Sequence, residues 1–184
     1  MKKSLNKLML GAAVMAVSGL VSGHVAANPT DIDIEATIIQ PITITQTAAL
    51  RFGNIVPDAD DPGTMLVSHD GTTFTPSAEL QYLDGAGAGT MEVGGATGRA
   101  ITIEVDDPTA TLTGPGDAMT VGSFTFGAGA NTDNVVAVTE GTDEMTFEIA
   151  TSPATIRLGG TLTVGAAQVA GDYAGTISVS AAYE

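Results

Sequence analysis

The chain of 184 residues has no cysteine and no tryptophan. Without cysteine there is no disulfide framework, no thiolate for zinc, no thiol nucleophile and no lipid-modified cysteine anchor. Aromatic residues make up only 4% of the chain, three Tyr and five Phe, so the exposed ring platforms that sugar-binding surfaces favour are nearly missing. Basic residues are equally scarce. Six Lys and Arg stand against 21 Asp and Glu, a formal charge of −15. All the lysines, Lys2, Lys3 and Lys7, fall in the first seven residues; after residue 27 only Arg51, Arg99 and Arg157 face the 21 acids, a charge of −18. A surface of that sign repels nucleic acid and anionic headgroups, and neither is expected as a partner. The lack of later lysines also rules out Lys–Asn isopeptide crosslinks. No apolar stripe at helical spacing persists beyond two turns.

Residues 1–27 read as a signal peptide, with a lysine-bearing start, an apolar run from Leu8 to Val21, and Val25-Ala26-Ala27 before a cleavage expected at Asn28. The apolar run is shorter than the roughly 20 residues a spanning helix needs. No membrane insertion is expected after cleavage, and the expected location is the periplasm, the cell surface or the medium. Residues 28–184 then form one domain, large enough to hold a core without disulfides.

That domain is rich in Gly, Ala, Thr and Val, and its apolar residues recur in short alternating runs separated by Gly, Pro, Asp and Asn. Such runs predict β-strands. Ile32, Ile34, Ala36 and Ile38 alternate with Asp33, Glu35 and Thr37; after Pro41 the alternation resumes at Ile42–Thr45. Further strands are expected at 50–57, 64–68, 72–75, 90–93, 100–105, 119–126 and 145–149, with a hairpin turn at His69-Asp70-Gly71 and a loop at 85–89. The segment 80–83 reads equally as one helical turn or a short strand. Ile156 with Leu158, and Leu162 with Val164, read as a pair of strands about Gly159-Gly160. The most regular segment is the last. In Gly175–Tyr183 the residues Ile177, Val179, Ala181 and Tyr183 point one way and Thr176, Ser178, Ser180 and Ala182 the other, which predicts a half-buried strand with a core-facing row. Nine or ten short strands at near-regular spacing predict an all-β fold, a single antiparallel β-sandwich of immunoglobulin-like type.

Chemistry-bearing residues are few. His69 is the only histidine after residue 27, so a Ser-His-Asp arrangement, and any hydrolase, would have to be built on a turn residue. Zinc ligands are too few, and no phosphate-binding glycine loop precedes a helix. Asp58, Asp60 and Asp61 are close enough to share calcium, and Asp106 with Asp107 form a second acidic pair. Neither matches the EF-hand spacing, and a solvated acidic turn accounts for both. No catalytic residue, cofactor or enzyme activity is therefore expected.

Two groups of residues carry a resemblance. One is Ile42-Thr43-Ile44-Thr45, Leu50, Phe52-Gly53 and Ile55-Val56-Pro57; the other is Gly160–Gly165, Gly171–Ile177 and Tyr183. Together they resemble a bacterial family of small secreted β-proteins catalogued as a domain of unknown function, similar in layout to spore-coat-U-like and archaic chaperone–usher pilins. The resemblance implies an incomplete sandwich whose missing strand is supplied by the N-terminal extension of the next subunit, with sister subunits and a periplasmic chaperone as partners. Ile32, Ile34, Ala36 and Ile38 would be the donated row, and Tyr183 would hold the penultimate aromatic position. The chain departs from many pilins in lacking their cysteine pair. The same alternation at 31–39 also suits a first strand closing the protein's own sandwich. The function implied is a structural subunit of a surface fibre. The alternative is a monomeric secreted binding module that recognises a glycan or protein through loops 57–63 and 84–89.

Overall fold

The structure is a computed structural model, and it describes residues 29–128, 135–139 and 143–184. The proposed signal peptide lies outside the described residues. The chain divides into two units, Met1–Thr37 and Ile38–Glu184. In the first, residues 29–37 are exposed and form no strand, so the strand expected at Ile32–Ile38 is not formed.

The second unit is all-β and antiparallel. Its strands are β1 (Thr43–Ala48), β2 (Arg51–Pro57), β3 (Gly63–Val67), β4 (Phe74–Pro76), β5 (Leu80–Gly87), β6 (Gly89–Gly94), β7 (Ala100–Val105), β8 (Thr109–Leu112), β9 (Met119–Ala128), β10 (Val135–Thr139), β11 (Glu144–Ile149), β12 (Ala154–Val164) and β13 (Val179–Tyr183). No helix occurs among the described residues. One sheet runs β1-β6-β12-β3-β4, with β9 also on β12 and β8 on β9; a second runs β10-β11-β7-β13; β2 and β5 form a separate ribbon. The first two sheets bury their inner faces in one cluster, a sandwich-like arrangement. Phe124, Phe126, Phe147, Ile101, Ile103, Met145 and Ile156 are fully buried there. Each such side chain contributes roughly 1.5–3 kcal/mol through burial, and among the described residues no polar or charged residue is buried with them.

Several expectations are corrected. Ile156–Leu158 and Leu162–Val164 are one strand and not two, because β12 runs straight through Gly159-Gly160. A Cβ on Gly159 would lie 2.5 Å from the Val67 carbonyl oxygen and the His69 nitrogen, so glycine there permits a close backbone approach rather than a reversal. In β9 both alternating rows are buried, Met119 and Val121 before Gly122, Phe124 and Phe126 after it. Ser123 has a φ of 52°, and the pairing to β12 slips between Gly159 and Thr161. This bulge turns the second row inward. Residues 80–87 form a full strand, and the glycine-rich stretch 85–89 belongs to β5 and β6. Strand β8, directly after Pro108, was not anticipated. The final strand starts only at Val179. Residues 174–178 instead cross between sheets, held by Ala174 to Thr113 in both directions and by the Asp106 N–H donating to the Ser178 carbonyl.

Candidate functional site

The site is the place where the sandwich is left open. Among the described residues, strands β1 and β13 each pair on one side only, β1 with β6 and β13 with β7. All six residues of β1 are exposed. An unpaired strand edge presents free N–H and C=O groups that can template another strand. Beneath the gap lies a cavity of about 610 Å³, bordered by Ile44 of β1 and Ile177 and Val179 near β13, with Met91, Phe124 and Leu158 among its lining. The lining is apolar because alternation turns the same rows inward that build the core.

Of the row expected on the last strand, Val179, Ala181 and Tyr183 lie on β13 and Ile177 falls just before it. Ile177, Val179, Ala181 and Tyr183 are partly buried and pack against the core cluster. Tyr183 has a further part that alternation alone did not reveal. Its hydroxyl accepts a hydrogen bond from the Ala96 N–H at 2.6 Å and donates to the Gln40 carbonyl at 2.7 Å. Gly95 leaves the space, since a Cβ there would sit 2.9 Å from the Tyr183 oxygen. The residue thus ties the lead-in to β1 to the end of β13.

Tyr173 locks the other end of the crossing segment. Its hydroxyl donates to the carbonyl of Val169, four residues upstream, and accepts from the Gly116 N–H and the Gln168 side-chain amide. A tyrosine hydroxyl that bonds to backbone a few residues upstream pins the crossing segment, as tyrosine corners do. The signal was legible in Gly171-Asp172-Tyr173, within the quoted resemblance, but its role was not.

The donor-row candidates lie outside any strand, with Ile32 83%, Ile34 94% and Ile38 96% exposed, and Ala36 exposed as well. Large apolar side chains in that state leave burial free energy unused.

The remaining candidates do not converge. Asp58 Oδ1 accepts from the backbone N–H groups of Asp60 and Asp61 at 2.8 and 3.3 Å. Those bonds, the Asp60 one foremost, hold its carboxyl below the usual range. The carboxylate serves the turn, and no group of three potential metal ligands occurs among the described residues. Asp70 is similar. Its carboxylate accepts from the Thr72 N–H, the Thr73 hydroxyl and the Thr73 N–H, which together hold it well below the carboxylate range. His69 stands in the hairpin turn, as expected. It is half-buried, with its ring lying against Gly127. It gathers no buried acid among the described residues. A second cavity, about 820 Å³, lies between β2 and the 168–173 loop, next to the exposed Val56, Leu83 and Val169.

Fold and site together define an antiparallel sandwich-like β-protein with two open strand edges flanking an apolar cavity. The profile of the family described as a domain of unknown function (DUF4402) matches residues 42–183, and the chain belongs to that family. No curated protein and no solved structure matches it.

Proposed function

We propose that the protein is an exported, non-enzymatic structural subunit of a surface fibre, assembled by strand exchange in the manner of chaperone–usher and spore-coat-U-like pilins. The segment 31–39 of one copy fills the gap between β1 and β13 of the next. The observation that carries this reading is the coexistence of an unfilled apolar gap with unpaired edges and an exposed, strand-patterned segment in one chain. The nine residues from Asp31 to Ile39 are long enough to span the open edge of β1, six residues, or of β13, five residues. Strand addition supplies main-chain hydrogen bonds for affinity and alternate side chains for the pockets.

Magnitudes decide how the segment must bind. Burying Ile32, Ile34 and Ile38 gains roughly 5–9 kcal/mol. Ordering nine residues costs about 9–18 kcal/mol in backbone entropy. Side-chain burial alone therefore falls short, and about five hydrogen bonds along the five-residue edge of β13, at roughly 0.5–1.5 kcal/mol each, bring the sum near balance. The occupant has to pair with the edge, not merely fill the cavity.

The test is the size of the purified protein in solution with and without residues 29–40. Strand exchange gives oligomers or fibres for the intact chain, and a truncated monomer that binds a synthetic peptide of residues 30–40. An intact chain that stays monomeric, with 31–39 paired into its own sheet, contradicts the reading.

A monomeric binding module is the second reading, favoured by the cavity beside Val56, Leu83 and Val169. It no longer draws on a loop at 84–89, which is strand. Glycan-array binding that disappears when 57–63 is replaced would support it.

A further inference from the structure

We infer that the exchange is gated by ionic strength, because the donated strand lays a row of carboxylates beside a sheet face that is already anionic. The inference rests on the strand-exchange reading. Alternation places Asp31, Asp33 and Glu35 on the face opposite Ile32 and Ile34. Seating the isoleucines over the cavity therefore turns these carboxylates outward, on the side of Ser180, Ala182 and Glu184.

That outer face already carries acids. Glu104 of β7 stands opposite Ser180 on β13 and opposite Glu144 on β11. Like charges directly across a strand pair oppose one another. Glu148 lies across from Ala100 on the same face, and the Glu184 carboxylate accepts from the hydroxyls of Thr102 and Thr146 at the centre of the ladder. Arg99, exposed just before β7, is the nearby cation in the sequence.

An added strand would lie about 4.8 Å from β13 and about 10 Å from β7. The Debye length is about 10 Å at 0.1 M salt and about 30 Å at 0.01 M. In dilute salt the donor's carboxylates therefore feel the Glu104 row and Glu184, and in concentrated salt they do not. The charge of −18 after residue 27 adds a longer-ranged repulsion between copies with the same salt dependence. The apolar contacts inside the gap carry no such dependence on simple chlorides.

The experiment follows oligomer growth of the purified protein by light scattering in about 20 mM and about 500 mM NaCl, and in tetramethylammonium chloride at the same ionic strengths. Growth is expected to be roughly tenfold faster at the higher strength, equally in both chlorides, as screening requires. The triple variant Asp31→Asn, Asp33→Asn, Glu35→Gln is expected to grow faster than the unaltered chain in dilute salt and to show a clearly smaller salt dependence. Its urea midpoint should be unchanged, since these residues lie outside every strand. Growth of the unaltered chain at one rate throughout, acceleration by sodium alone, or a variant that keeps the full salt dependence would overturn the inference while leaving strand exchange standing. A chain and variant that both stay monomeric in every salt would overturn strand exchange, and the gate with it.

Discussion

Two segments of this chain carry the same pattern and meet opposite fates. Ile101, Ile103 and Val105 alternate along β7 and are buried, the two isoleucines completely. Ile32, Ile34 and Ile38 alternate just as cleanly and are almost fully exposed. What separates them is neighbours. β7 lies between β11 and β13, so its inner row is covered and both edges are paired. Residues 31–39 form no strand. Alternation states that a strand needs a covered face; it does not state which chain supplies the cover.

Five substitutions break or sharpen that comparison. The largest effect is expected at Phe147, wholly buried on β11. Phe147→Ala should cost about 3–5 kcal/mol in urea unfolding, whereas Ile34→Ala should change stability by less than about 0.5 kcal/mol and act on self-association instead. Next is Gly159→Ala, which pushes a methyl group against the backbone of Val67 and His69. Neither partner is a flexible side-chain tip, so a loss of about 1–3 kcal/mol is expected.

A smaller loss, about 0.5–1.5 kcal/mol, is expected for Tyr183→Phe. Hydrogen exchange would show the Ala96 amide losing protection, since its acceptor is the Tyr183 hydroxyl. The smallest is Asp70→Asn. The Asp70 carboxyl titrates below its ordinary value, so its contribution is fully present above the unfolded-state pKa of about 3.9 and is lost as pH falls toward the lower folded value. The difference in melting temperature between the unaltered chain and this variant should be flat from neutral pH down to about 5 and shrink below about 4.

The fold class was legible because period-two alternation over β7, β11 and β13 depends on nothing distant. What escaped was set by contacts far along the chain. Met119 to Phe126 offered two candidate faces, and both are buried because a bulge at Ser123, forced by pairing to β12, reverses the alternation midway. Gly159-Gly160 reads locally as the junction of two strands; only the crossing of Val67 and His69 over it explains glycine in mid-strand. Thr176 and Ser178 extend the pattern of β13 without joining it, since the chain there is passing from Thr113 on one side of the molecule to Asp106 on the other. For the site, the core-facing row of Ile177, Val179, Ala181 and Tyr183 was readable. The hydroxyl contacts of Tyr173 and Tyr183 were not, because their partners at Gly116, Ala96 and Gln40 are fixed only once the sheets have closed.

The most direct measurement uses the absence of cysteine. Ile34→Cys and Ile177→Cys are made in separate copies, mixed, allowed to assemble and oxidised, and the products are sized under denaturing conditions. Donation between copies predicts a disulfide-linked pair holding one chain of each kind. No mixed pair, together with an internal crosslink in a single chain bearing both substitutions, would show that the segment closes its own sandwich and would contradict exchange.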